Sequence, residues 1–192
     1  IGVGMMGRNH ARVLRSLDGV ELVGVVDPGG DPHQAASDIP LFASLDELVS
    51  LGIDYAVVSI PTAHHLVAGV ALAGAGIHCL IEKPVADSAE SAQALVNAFE
   101  NAGLVGAVGH IERYNPALQH ARARLANGEL GEVYQIVTRR QGPFPGRISD
   151  VGVVKDLGTH DIDLTAWVTQ RAYRSVSAHI AHRSGRDHED LV

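Results

Sequence analysis

The chain has a single cysteine, Cys79, among its 192 residues. One thiol forms no internal disulfide, so the fold must rest on its core, and a reducing, cytoplasmic setting is expected. Aromatic residues are scarce, at 4%, which fits close βα packing better than a β-sandwich. Basic residues are outnumbered 15 to 22, for a formal net charge of −7. Nucleic acid calls for a basic field, so it is not an expected partner. No apolar run approaches the ~18–20 residues of a bilayer-spanning helix, so no membrane partner is expected either.

Glycine, in contrast, is plentiful, with 21 residues against a norm of about 7%. Hydrophobic residues at 46% and charged residues at 19% exclude a disordered chain and supply a core. Ile1-Gly2-Val3-Gly4 reads as the end of a strand entering a glycine turn. A buried strand usually has ~5–6 residues, so a shortened first strand is expected, as part of a fragment cut at both ends.

Apolar runs and helical stretches then alternate. Strands are expected at 21–26, 54–60, 77–81 and 105–108, and helices at 7–17, 44–50, 62–75 and 88–101. Ser44 with Glu47 forms a capping-box pattern. Strands alternating with helices of this length imply parallel βαβ units and an open, doubly wound α/β sheet. After residue 110 the rhythm changes, with helices at 115–127 and 159–169, strands at 132–141 and 173–182, and a rigid Pro143-Phe144-Pro145-Gly146 loop. The division expected is a dinucleotide-binding Rossmann domain over 1–110 and part of an α+β domain with an open mixed sheet over 111–192.

Gly2-x-Gly4-x-x-Gly7 lies between a strand end and a helix start, with Met5 and Met6 inside it. In such a motif the first glycine makes the turn, the second lets backbone approach a pyrophosphate, and the third lets helix and strand pack. An ordinary tight βα turn is the plain alternative. Asp27, 20 residues past Gly7 at the next strand end, strengthens the dinucleotide reading, because its carboxylate can accept both ribose hydroxyls. Pro28 follows, with no Arg or Lys in the adjacent turn to receive a 2′-phosphate. NAD is therefore expected ahead of NADP.

Glu82-Lys83-Pro84 leaves another strand at the edge where open α/β sheets bind ligands, and Pro61 to His65 lines the same edge. A lysine there can donate to a substrate oxygen, or simply be solvated. Asp156, His160 and Asp163 share one face if helical, and a carboxylate beside an imidazole suits a general base. Metal ligation is the rival for that cluster, but no Cys pair or H-E-x-x-H pattern supports it, and no metal is expected.

Together Gly2/Gly4/Gly7, Asp27, Pro61…His65, Glu82-Lys83-Pro84 and Asp156-x-Gly158-x-His160-x-x-Asp163 resemble the glucose–fructose oxidoreductase, inositol dehydrogenase and MocA (Gfo/Idh/MocA) family. The resemblance implies an NAD-dependent dehydrogenase acting on a sugar hydroxyl, and a homo-oligomer formed through the C-terminal sheet. Lys83 would polarise the hydroxyl, His160 would take its proton and Asp156 would orient substrate or His160, with Lys83–Pro84 in cis. Cofactor contacts would come from Gly2, Gly4, Met5, Met6, Gly7, Asp27, Pro61, His65, Glu82 and Lys83. Segments 108–117 and 139–152 look most similar to dehydrogenases that oxidise the 3-hydroxyl of UDP-N-acetylglucosamine. Substrate contacts would then come from Arg113, Tyr114, Asn115, Arg147 and Asp163, with Arg139 and Arg140 as further cations for a diphosphate. An inositol or free-sugar dehydrogenase, and a non-catalytic NAD-binding sensor, remain the alternatives.

Overall fold

A computed structural model describes residues 1–142 and 151–192. They form two compact units, Ile1–Gly109 and His110–Val192.

The first unit is built on parallel strands: β1 (Val25–Val26), β2 (Leu41–Phe42), β3 (Tyr55–Val58), β4 (His78–Ile81) and β5 (Gly106–Val108). β1 pairs with β2, while β4 lies between β3 and β5. Residues 1–3 join the two groups. Gly2 N donates to Val26 O at 2.7 Å, and Ser59 N donates to Ile1 O at 2.8 Å. The order is therefore β2, β1, residues 1–3, β3, β4, β5. This is the doubly wound order, with its reversal point between residues 1–3 and β3, where such sheets bind ligands beyond their carboxyl ends.

Helices α1 (Met5–Arg15), α2 (Leu45–Val49), α3 (His65–Gly74) and α4 (Ala89–Asn101) connect the strands. Local chemistry sets their starts. Ser44 Oγ accepts from Glu47 N at 3.5 Å, and Glu47 Oε2 reaches back to accept from Ala43 N at 3.1 Å, one residue before the cap, a variant of the expected capping box. Ser88 Oγ accepts from Ser91 N at 3.1 Å at the head of α4. One apolar cluster packs Ala68 and Leu72 of α3 and Leu95 and Phe99 of α4 onto Ala56, Val58, Cys79 and Ile81. A second packs Ala11 of α1 with Val3 and Val25. Cys79 is buried in the first, and burial pushes its thiol pKa up to about 12.

The second unit contains α5 (Pro116–Ala126), opened by Asn115, whose Oδ1 accepts from Ala117 N at 3.0 Å, and α6 (Thr159–Thr169). A π-helical turn, Val154–Gly158, leads into α6. Glu189 caps this end, its carbonyl accepting from Val153 N at 3.0 Å and its Oε1 from Val154 N at 2.9 Å.

Three expectations about strands need correction. Pairing in the 21–26 run is confined to Val25–Val26, because β2 offers only two residues opposite it. Residues 132–141 form no strand, and 173–182 contributes a single antiparallel bridge, Ala181 to Leu191. Side-chain alternation is present in both segments, but a strand also needs a backbone ladder, and the described residues provide none. Tyr134, Val137 and Val176 are consequently 90%, 79% and 81% exposed. The expected 143–146 loop lies outside the described residues.

Candidate active site

Gly2 adopts φ +81°, and a Cβ there would lie 2.7 Å from the Ser59 carbonyl oxygen. At Gly7 a Cβ would overlap the Gly2 carbonyl and stand 2.9 Å from Ser59 Oγ. The turn and the start of α1 thus press directly on the end of β3. A Cβ at Gly4 would meet nothing within 4 Å, so the middle glycine faces open space. Ser59, which the sequence motifs did not single out, secures the turn by donating from Oγ to Gly2 O at 2.9 Å.

Helix α1 starts without a side-chain cap and has no acidic residue in its first turn, and Met5 and Met6 are exposed. Such an end presents free N–H donors and the positive pole of the helix dipole, which suits a pyrophosphate. Asp27 follows β1. Its Oδ2 accepts from Val3 N at 3.0 Å and its Oδ1 from Gly29 N at 2.8 Å. Both bonds fix the carboxylate beside the turn, and each oxygen keeps a lone pair for a ribose hydroxyl. The residues present therefore fit a dinucleotide.

Pro61 precedes a 3₁₀ turn, Thr62–His64, and is exposed. His65 behaves differently from a cofactor contact. It is 1% exposed, with Nε2 2.9 Å from Ile60 O and Nδ1 3.1 Å from Pro84 O and 3.2 Å from Val85 O. Its ring ties the loop after β3 to the loop after β4, so it shapes the edge from inside.

Glu82 is also buried, at 6% exposure. Its Oε1 lies 2.7 Å from His10 Nε2, and its Oε2 accepts from the backbone N–H of Lys83 at 3.2 Å. Burial alone would raise its pKa. The hydrogen bond and charge of His10, with the Lys83 N–H and ammonium, outweigh burial and hold it below the ordinary glutamate value. His10 is the second residue missed from sequence. Its signal was its place three residues after Gly7, on the same helical face. The Lys83–Pro84 bond is cis. A cavity of about 440 Å³ lies near the amino ends of β1 and β3, beside Val20, Glu21, Leu51 and Asp54, and its lining includes neither Asp27 nor Lys83.

In the second unit, the expected substrate residues are largely engaged with one another. Arg113 donates to both oxygens of Asp163, Nε at 2.9 Å and Nη2 at 2.5 Å. That bidentate bond raises the guanidinium pKa and joins the 3₁₀ turn Ile111–Tyr114 to α6. Asp163 is thereby drawn into an ion pair instead of simply extending an Asp156–His160 face. Asp156 lies in the π turn and His160 in α6, so the winding changes between them. Arg140 bonds Glu112 at 2.9 Å and Asp161 at 3.3 Å. Asn115 serves as the α5 cap, whereas Tyr114 and Arg139 are exposed. Arg147 lies outside the described residues. Among the described residues, no group of three or more His, Cys, Asp or Glu side chains is arranged to hold a metal, and no helix is long and apolar enough to cross a membrane.

Residues 1–110 match the Gfo/Idh/MocA oxidoreductase family, NAD-binding Rossmann fold, and residues 118–192 match the Gfo/Idh/MocA C-terminal domain. UDP-N-acetylglucosamine 3-dehydrogenase of Acidithiobacillus ferrooxidans is 35% identical over 172 residues, covering 88% of this chain and 53% of the relative. The NAD(+)-dependent scyllo-inositol 2-dehydrogenase of Bacillus subtilis is 30% identical, covering 93% and 55%. Among solved structures, GenD2 from gentamicin A biosynthesis, in complex with NAD, superposes with a TM-score of 0.86 at 28% identity, over 98% of this chain and 58% of that one. The chain spans about half the length of these curated relatives. With both parts matched in order on one chain, and the fold built around the glycine turn, the protein belongs to the Gfo/Idh/MocA oxidoreductase family and carries its NAD-binding Rossmann fold.

Proposed function

We propose that this chain serves an NAD-dependent dehydrogenase that oxidises a hydroxyl of a sugar, with a nucleotide sugar such as UDP-N-acetylglucosamine, at its 3-hydroxyl, as the preferred substrate. One observation carries the reading. Lys83 leaves β4 at the same carboxyl edge of the parallel sheet as the glycine turn and Asp27. That edge is where a dinucleotide and its reacting partner meet in doubly wound folds.

Bound NAD supplies the ring that accepts hydride. The glycine turn and the head of α1 would hold its pyrophosphate, and Asp27 would accept from its ribose hydroxyls. The Lys83 ammonium donates a hydrogen bond to the substrate hydroxyl oxygen, favouring loss of the O–H proton. By the family resemblance, His160 would take that proton and Asp156 would orient His160 or the substrate. The C–H bond would break with its electron pair as hydride leaves, and a carbonyl would form; the alcohol would lose two electrons and two protons, one proton within the hydride and one to the base.

The preference for a nucleotide sugar draws on the Acidithiobacillus relative and on the arginines of the second unit. Arg113 and Arg140 are held by carboxylates, so the exposed Arg139 is the better candidate for a diphosphate. The Bacillus relative favours an inositol as the second reading. The deciding experiment screens the full chain with NAD and NADP against nucleotide sugars, inositols and free hexoses. Lys83→Ala should abolish turnover while leaving NAD affinity largely intact. Full activity in that variant removes Lys83 from the mechanism.

A further inference from the structure

We propose that His10 is a positioning residue for hydride transfer, holding the Glu82 carboxylate so that the end of β4, with Lys83, is tied to the helix that faces the dinucleotide. The inference rests on the role given above to Lys83. Three contacts carry it. His10 Nε2 lies 2.7 Å from Glu82 Oε1, and a carboxylate only accepts, so Nε2 is the donor. Glu82 Oε2 accepts from Lys83 N at 3.2 Å, which fixes the peptide leading into the lysine. On the remaining side the carboxylate packs against Gly109, where a Cβ would approach Oε2 to 3.0 Å. Glu82 N also donates to Val58 O at 2.9 Å, so the same residue is held to β3.

Stability is a poor reason for this arrangement. Two polar groups brought into a half-buried site give back in desolvation much of what their attraction supplies, and an apolar pair of similar volume can serve a fold as well. A donor on the cofactor helix that grips the residue preceding Lys83 does something an apolar pair does not. It sets the distance between two parts of a reaction that is sensitive to displacements of about 1 Å.

The test uses the full chain with His10→Ala and His10→Gln, whose amide retains an N–H donor. His10→Phe, which keeps volume without a donor, takes the place of His10→Ala if that variant does not fold. Loss of the donor should lower kcat by about 10- to 100-fold while the KM for NAD stays nearly constant, and His10→Gln should recover most of the loss. A second readout is independent of turnover. The chain has only two lysines, Lys83 and Lys155, so ¹³C reductive methylation gives one side-chain signal for each. The Lys83 signal should move in His10→Ala, return towards its original position in His10→Gln, and leave Lys155 unchanged. An unmoved Lys83 signal, or equal kcat losses in the alanine and glutamine variants, would overturn the proposal. If the unsubstituted chain oxidises no alcohol, the dehydrogenase reading fails, and the Lys83 signal still decides whether His10 positions it.

Discussion

Gly7 and His10 are three residues apart on α1; Gly7, having no side chain, lets the Gly2 backbone approach, and His10 reaches across to the Glu82 carboxylate. Gly7→Ala should be poorly tolerated. The added methyl meets the Gly2 carbonyl, which as backbone cannot swing aside, and also Ser59 Oγ, so α1 must lift from the turn. We expect NAD affinity to fall by about tenfold or more, equivalent to ~1.4 kcal/mol or above, as measured by calorimetric titration. Unchanged affinity would remove the turn from the pyrophosphate site. Gly2, Gly4, Gly7 and Asp27 were legible in the sequence because a turn and the strand end after it are local features with set spacing. The environments of His65 and Arg113 were not. His65 meets Pro84 from 19 residues away, and Arg113 meets Asp163 from 50 away, so neither partner is encoded in a neighbouring motif.

Helix starts were the most readable elements, since a cap acts within three residues. Ser88 shows the consequence. Its Oγ satisfies Ser91 N, and Ser88→Ala should destabilise the chain by about 1 kcal/mol, seen as a lower urea midpoint with an unchanged slope. Retained stability would mean that water caps α4 equally well. The extent of strands was less readable. Segments 132–141 and 173–182 alternate as strands do, yet the described residues give them no ladder, because pairing depends on a neighbour's position and not on the segment itself. The π turn Val154–Gly158 is another element that the Asp156/His160 spacing did not reveal. The expectation of a shared face assumed 3.6 residues per turn, and the π turn changes that winding between the two residues.

Over the whole molecule, ligand binding should register as stability. NAD at a hundredfold excess over its Kd should raise the unfolding free energy by about 2.7 kcal/mol, and NADP at the same concentration by less, because the turn after Asp27 offers no Arg or Lys for a 2′-phosphate. Equal stabilisation by both, in a thermal or urea titration, would remove the cofactor preference, and stronger stabilisation by NADP would reverse it. The sequence by itself determined the alternation of strands and helices, the glycine turn with its acid, and the Glu82-Lys83-Pro84 exit. Each of these is written in short spacings and hydrophobic periodicity. Tertiary structure alone decided that residues 1–3 lie between β1 and β3, that His65 points inward, that Arg113 takes up Asp163, and that His10 grips Glu82. The physical reason is common to all four. A polar group that packing draws even partly out of water takes whichever complementary group the packed elements bring within about 3 Å, and that neighbour is chosen by the sheet order and helix packing of the folded chain.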